Sequence, residues 1–283
     1  ETISVKNGLI SKSRTYGRKL MDAYETYLKT FEDHVEEHIQ TIITWMKVEF
    51  KKTHADGVIL GMSGGLDCSV VAGLCKRSGI PVQLVTMPRG NSMQYGQMND
   101  AKLLAETFDL QMIEVPVQEC CGVLETTCTQ IKNTQLQNKC KGDVTMANAN
   151  LGPIVRMSIL STLGQYMNYV MIGTGNLTER MMGYFTKRGD GLSDFNPLGE
   201  LTKSEVRIIA KHIGVPARII EKAPSADLWE GQSDEEEMGI KIEEIDRYLL
   251  TGVVEDAIKD KIEHKIMVSE HKRKPIPMFQ ENN

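Results

Sequence analysis

The sequence lacks the features that mark membrane and secreted proteins. No apolar run approaches the roughly 18 residues that a membrane-spanning helix needs, and residues 1–7 lack the apolar core of a signal peptide. Six cysteines are present, but none form a Cys-x-x-Cys pair, so the spacing favours neither a zinc site nor a disulfide framework. These absences indicate a cytoplasmic protein with free thiols and no membrane partner.

The sequence also lacks an excess of basic residues. It has 33 Lys and Arg against 38 Asp and Glu, a formal net charge of -5, whereas nucleic-acid-binding domains are usually basic. Nucleic acid is therefore not an expected partner. The 283 residues, 41% of them hydrophobic, are enough for one globular domain. We expect a single domain over 1–283, with a helical N-terminal extension over 1–55 and a helical, basic C-terminal segment over 250–283.

Hydrophobic periodicity predicts alternating strands and helices. Helical spacing predicts a long helix over 18–53, and apolar runs predict strands near 58–62, 81–87, 110–115 and 169–173. Helices are predicted over 66–78, 98–108 and 150–166, with one helix plus a loop in the polar stretch 116–149. This alternation predicts an α/β fold: a doubly wound, Rossmann-like parallel sheet with helices on both faces. Farther on, Thr202 and Glu205 predict a capped helix to about 213, the acidic stretch 222–240 a loop, and 242–250 and 254–268 helices.

A glycine-rich turn follows the first predicted strand. Residues 61–69 read Gly-Met-Ser-Gly-Gly-Leu-Asp-Cys-Ser, and a helix is expected to start near Leu66. Glycines let backbone amides approach a ligand, and a helix N-terminus attracts anions, so the turn is typical of a phosphate site. It lacks the Gly-Lys-Ser/Thr of a Walker A loop. Asp67 adds a carboxylate that suits magnesium beside phosphate. An ordinary strand–turn–helix remains the alternative on these residues alone.

The Ser-Gly-Gly-x-Asp pattern resembles the loop of the N-type ATP pyrophosphatases, which cleave ATP to AMP and pyrophosphate. Further stretches resemble the ammonia-dependent NAD synthetases in order and spacing. They are 172–179 (Ile-Gly-Thr-Gly-Asn-Leu-Thr-Glu), 183–194 (Gly-Tyr-Phe-Thr-Lys-Arg-Gly-Asp-Gly-Leu-Ser-Asp), 222–228, 233–240 and 269–273. The resemblance covers about 57–279. It implies a homodimeric ligase that uses ATP, Mg²⁺ and ammonia to amidate the nicotinate carboxylate of deamido-NAD through an acyl-adenylate.

The resemblance also implies roles for individual residues. Asp67, Glu179 and Lys203 would be catalytic, and Asp67 and Glu179 would bind magnesium. The expected ATP contacts are Gly61, Met62, Ser63, Gly64, Gly65, Leu66, Asp67, Cys68, Ser69, Met87, Thr174, Lys203 and Ser225. The expected deamido-NAD contacts are Lys187, Asp194, His271 and Lys272. Without the resemblance, Glu179 and Lys203 would be interpreted as exposed helix residues.

Three features depart from the family pattern. Cys68 stands where the family has Ser, and Ile154 stands where it has an Arg that contacts deamido-NAD, although Arg156 matches a second Arg. The stretch 116–149 is unlike the family. A related ligase that amidates another carboxylate therefore remains an alternative. A nucleic-acid modifier that shares the loop, and an inactive adenylate-binding protein, are further alternatives.

Overall fold

The computed structural model describes residues 23–90, 94–222 and 234–279. The first described elements are the helical residues 23–33 (α1) and Val35–Thr53 (α2). His34 separates them with a non-helical backbone (φ -112°, ψ 16°), so the helix predicted over 18–53 is broken in its described part. The next elements are β1 (Gly57–Gly61), α3 (Leu66–Ser78), β2 (Val82–Thr86), α4 (Gln94–Thr107), β3 (Met112–Glu114), α5 (Gln118–Thr134), α6 (Val144–Met167) and β4 (Tyr169–Met171). The remaining helices are α7 (Leu177–Met182), α8 (Lys203–Ile213), α9 (Ala217–Ile220), α10 (Asp234–Met238), α11 (Ile242–Thr251), α12 (Asp256–Val268) and α13 (Glu270–Arg273).

The four strands form a parallel sheet in the order β3-β2-β1-β4. The chain leaves β1 toward β2 and β3 on one side, and β4 pairs with the opposite side of β1. The carboxyl edge between β1 and β4 is therefore a topological switch point, where open α/β sheets bind ligands.

The sheet separates two hydrophobic clusters, which confirms the predicted doubly wound class. Val58 and Leu60 of β1 pack into a cluster with α2, α3, α4 and α8, while the intervening Ile59 packs with α5 and α6. The continuous apolar run in β1 follows from this two-sided burial. A third cluster joins α7 to α10, α11 and α12.

Two segments of the structure differ from the elements that the sequence predicts. The stretch 116–149 does contain one helix and a loop, but α6 begins at Val144 because Asp143 accepts a hydrogen bond from the Met146 amide and caps it. The predicted acidic loop over 222–240 is wrong at Asp234–Met238, which forms α10. Among the described residues, none of the helices has both the length and the apolar character needed to cross a membrane.

Candidate active site

The glycine-rich loop between β1 and α3 leaves helix amides available for an anion. Gly64 has φ 83°, a left-handed conformation that favours glycine. Gly65 is the N-cap of α3, and no side chain accepts a capping hydrogen bond there, so the first amides of α3 stay available to a ligand. The loop is braced by the Ser63 hydroxyl, which accepts a hydrogen bond from the Gly65 amide at 3.2 Å. An anion placed here would meet both the loop amides and the helix dipole.

The side chains of Cys68 and Ser69 turn back toward the loop. The Cys68 thiol lies 3.2 Å from the Gly65 carbonyl and 3.3 Å from the Ser63 hydroxyl, and the Ser69 hydroxyl donates to the same carbonyl at 2.6 Å. Both residues are buried. In this geometry, Cys68 supports the loop through weak hydrogen bonds.

Lys203 joins the loop after β1 to the segment after β4. Its Nζ lies 2.5 Å from Asp67 Oδ2 and 3.2 Å from Glu179 Oε1, and the lysine is only 6% exposed. Three residues that are far apart in sequence thus form one largely buried charge cluster. Two carboxylates around one ammonium leave the cluster with excess negative charge when both are ionised.

Asn176 completes this cluster, and sequence analysis missed it. Its Nδ2 donates to Asp67 Oδ1 at 3.0 Å, while its Oδ1 caps α7 by accepting from the Glu179 amide at 2.9 Å. Glu179 returns the bond by accepting from the Asn176 amide. The signal was present in the sequence, because Asn-x-x-Glu after an apolar strand is a capping box. Asn176 thereby fixes both carboxylates relative to each other.

Burial changes the protonation behaviour of the cluster. Removal of Glu179 from water raises its pKa to about 7, although the Lys203 ammonium opposes this effect and the Asp67 carboxylate adds to it. Burial alone would lower the pKa of Lys203, but the two carboxylates outweigh burial and raise it. Lys203 is therefore a permanent cation, whereas Glu179 titrates near neutral pH.

Asp246 holds Lys203 from behind, although no sequence pattern indicated it. This fully buried carboxylate accepts from the Ser204 amide at 2.8 Å, from the Ser204 hydroxyl at 2.6 Å and from the Thr178 hydroxyl. Thr178 Oγ1 in turn accepts from the Lys203 amide at 3.0 Å. Burial raises the pKa of Asp246, and its hydrogen-bond donors oppose that rise. Asp246 on α11 thus anchors the start of α8.

A cavity of about 580 Å³ opens beside the cluster at the carboxyl edge of the sheet. Most predicted ATP contacts line it: Gly61, Met62, Ser63, Gly65, Leu66, Asp67, Cys68, Met87, Thr174 and Lys203. Gly64 and Ser69 lie behind this lining within the loop and helix. Ser225 lies outside the described residues. Glu179 and Arg156 also line the cavity, but Ile154 does not and is 37% exposed.

The four predicted deamido-NAD contacts are not brought together on the cavity wall. Lys272 lines the cavity, and its Nζ donates to the Gly183 and Phe185 carbonyls at 2.6 and 2.8 Å. Asp194 instead accepts from the Met171 amide at 2.7 Å, because its segment pairs alongside β4. Lys187 is exposed and donates to the backbone carbonyl of His271, which is also exposed.

Asp67 and Glu179 could supply only part of the coordination shell of a magnesium ion, and other oxygen ligands would have to complete it. Among residues 23–90, 94–222 and 234–279, no three His, Cys, Asp or Glu side chains cluster as a metal cage. Mg²⁺ commonly takes one or two carboxylates and completes its shell with phosphate and water. The donor pair therefore fits a magnesium ion that is carried with a nucleotide phosphate.

The fold is a parallel α/β sheet with a glycine loop, an open helix N-terminus and a carboxylate–lysine cluster at its switch point. Together these features define a nucleotide-binding enzyme of the ATP-pyrophosphatase type. A family model described as NAD synthase matches residues 38–282. The chain belongs to this family of ligases.

Named relatives agree with this assignment. The NH(3)-dependent NAD(+) synthetase of Carboxydothermus hydrogenoformans is 38% identical over 247 residues, covering 86% of this chain and 98% of the relative. Among solved structures, the NMN synthetase from Francisella tularensis has TM-score 0.78 and 33% identity, covering 86% of this chain and 97% of that one. The NH3-dependent NAD synthetase from Campylobacter jejuni has TM-score 0.67 and 25% identity, covering 87% and 98%.

Proposed function

We propose that this chain uses ATP to amidate the nicotinate carboxylate of deamido-NAD with ammonia, giving NAD, AMP and pyrophosphate. The observation that carries the proposal is the position of Lys203, held between Asp67 and Glu179 beside the glycine loop. This arrangement supports the proposal because a cation and uncapped helix amides would stabilise the departing pyrophosphate.

The first step forms the acyl-adenylate. A carboxylate oxygen of the acceptor attacks the α-phosphorus of ATP, and the bond from that phosphorus to the bridging oxygen breaks as pyrophosphate leaves. Negative charge grows on the leaving group in this step. The α3 amides and the Lys203 ammonium can stabilise that charge, because preorganised donors need little rearrangement.

A divalent cation would complement these groups. Asp67 and Glu179 would hold Mg²⁺, which would neutralise phosphate charge when bound. Lys203 keeps the two carboxylates close together without the ion, and Asn176 orients them.

The second step releases the product amide. Ammonia attacks the acyl carbon, the carbon–oxygen bond to AMP breaks, and a proton leaves the new amide nitrogen. Water would compete with ammonia for the same carbon. Apolar side chains on the cavity wall, including Met62, Met87, Met157 and Leu160, reduce the space for water.

The test is an assay with purified protein, ATP, Mg²⁺, ammonium and deamido-NAD. We expect NAD and AMP to appear in equal amounts, and Asp67→Ala to abolish both. Asp260→Ala, an exposed carboxylate on α12, is the matched control and should retain activity. Folded protein that forms neither product would overturn the proposal, and would leave the inactive adenylate-binding protein as the explanation.

The acceptor is identified by the same assay. The curated relatives carry the NAD synthetase name, so an alternative carboxylate is not favoured. The solved NMN synthetase makes nicotinate mononucleotide the appropriate comparison acceptor. We expect a higher kcat/KM with deamido-NAD than with nicotinate mononucleotide. The reverse order would identify the mononucleotide as the acceptor.

We also propose a homodimer in the cytosol. Apolar side chains are exposed on α5 and α6, including Val123, Ile131, Ile154 and Tyr166, and covering them would favour association. All six cysteines are free, which suits a reducing compartment. Light scattering at micromolar concentration should give twice the chain mass, and the mass of one chain would contradict the dimer.

A further inference from the structure

We propose that Arg156, supported by Arg89, forms a phosphate-binding subsite in the cavity, separate from the glycine loop. The inference rests on the proposed function, because it concerns how the same cavity holds its anionic nucleotides. Neither arginine has a role in the reaction as described above.

The first observation is the fixed orientation of Arg156. Its Nε donates to the Met87 carbonyl at 3.0 Å, so the plane of the guanidinium is held against the end of β2. The side chain lines the cavity. No carboxylate of the described residues lies within ion-pair distance of it. A guanidinium anchored at Nε keeps its terminal N–H groups for a planar or tetrahedral oxyanion.

The second observation is the close approach of Arg89. The Nη1 atoms of Arg89 and Arg156 lie 3.3 and 3.4 Å from the point that a Gly152 Cβ would occupy. Gly152 on α6 thus leaves room for two cations side by side. Burial lowers the pKa of Arg156, and repulsion from the like charge of Arg89 adds to this effect, whereas Cys121 and Asp190 oppose it. An anion bound between the arginines or next to them would relieve the repulsion.

Nearby acidic groups balance the two arginines only in part. Glu125 on α5 lies 3.4 Å from Arg89 Nη2 and is 42% exposed. Asp190 attracts Arg156 only at longer range, and its carboxylate accepts from the Thr186 amide at 2.9 Å. Cys121 is buried beside the arginines, and burial raises the pKa of its thiol, which favours the neutral form. Among the described residues, the Arg156 guanidinium is therefore without a direct ion-pair partner.

In this arrangement, α5 supports the phosphate-binding subsite. The helix lies in the stretch that departs from the family pattern, and it contributes Glu125 to orient Arg89. On α6, the structure directs Arg156 into the cavity and leaves Ile154 at the surface. Arg156 therefore reaches the cavity from α6, whereas Ile154 does not.

The position of the subsite distinguishes it from the pyrophosphate loop. Arg156 is attached to the end of β2, whereas Lys203 bridges the segments after β1 and β4. β2 is the immediate neighbour of β1, roughly 5 Å away, and β4 lies on the far side of β1. A phosphate held by Arg156 would therefore lie on the β2 side of the pyrophosphate site: either the α-phosphate of ATP or a phosphate of the acceptor.

Calorimetric titrations test the subsite and identify its source. ATP with magnesium and deamido-NAD are titrated separately into wild type, Arg156→Gln, Arg156→Lys and Arg89→Gln, with Arg77→Gln on the outer surface as control. A lost charged hydrogen bond of about 1.5–3 kcal/mol predicts a 10- to 150-fold rise in one Kd for Arg156→Gln. We expect a smaller rise for Arg156→Lys and for Arg89→Gln, and none for Arg77→Gln.

The nucleotide whose Kd rises is the one whose phosphate the subsite holds. Unchanged Kd values for both nucleotides in a folded Arg156→Gln variant would overturn the proposal. Equal weakening of both together with a lower melting temperature would also overturn it, by showing a packing role. Binding is read without turnover, so wild-type protein that binds these nucleotides but makes no NAD would contradict the proposed function and not the subsite.

Discussion

Glu179 should make the protein less stable as the pH rises through neutrality. An ordinary glutamate has a pKa of 4.5, and burial raises that of Glu179 to about 7. Between these values the folded chain keeps a proton that the unfolded chain has lost, so the free energy of unfolding falls with increasing pH. The difference of pKa corresponds to about 3 kcal/mol. Because the side chain is 26% exposed, solvent screening reduces the effect, and we expect about 2 kcal/mol between pH 5 and pH 8.

Glu179→Gln isolates this contribution, because glutamine cannot titrate. Reversible urea unfolding without magnesium, at pH 5, 6, 7 and 8, gives the free energy of unfolding for wild type and variant. We expect the stability of the variant relative to wild type to rise with each increase in pH, by about 2 kcal/mol in total between pH 5 and pH 8. Glu200→Gln is the control, since Glu200 also pairs with a basic residue but is 87% exposed. A variant-to-wild-type difference constant to within about 0.5 kcal/mol would refute the reasoning.

Three further substitutions test the site and its support. Lys203→Met should lower kcat by at least about 100-fold and should destabilise the fold by about 3 kcal/mol at pH 8, because two carboxylates lose their cation. Near-normal turnover would contradict a catalytic role for Lys203. Asp246→Asn should lower the free energy of unfolding by about 1–3 kcal/mol, since a buried acceptor that holds the start of α8 is lost. The variant should change kcat more than it changes the KM for ATP, and an unchanged kcat would show that Asp246 does not position Lys203. Gly183→Ala should lower the melting temperature more than Gly239→Ala, because both have left-handed φ values (65° and 67°) but only the first would place its Cβ 2.1 Å from Ser269.

The sheet could be predicted because its strands have a simple pattern. The run Val58-Ile59-Leu60 is apolar at every position, and the structure buries it on both faces of the sheet. Strand lengths were less predictable: the strand expected over 110–115 is only Met112–Glu114, since partly exposed edge residues give little periodicity. The proposed single domain with its extension over 1–55 stays a prediction.

The charge cluster could be predicted only in part. Asp67, Glu179 and Lys203 carried motif signals, and the structure brings them within hydrogen-bond distance. Asp246 had none, because a buried aspartate in a helix has the same local sequence as an exposed one. Arg89 was equally hidden, since its function depends on the space beside Gly152, which only the folded chain creates.

The residues that carry the proposed chemistry also carry its energetic cost. Asp67 and Glu179 are kept together although like charges repel. Burial raises the pKa of Glu179 to about 7, the Lys203 ammonium opposes this rise, and repulsion from Asp67 adds to it. Lys203 offsets part of this cost, and Asp246 and Thr178 hold the start of α8, which carries Lys203, in place. If Asp67 and Glu179 hold magnesium as proposed, the ion would have to displace the proton of Glu179, so its affinity would rise with pH. The carboxylate that lowers stability above neutral pH would then strengthen metal binding there.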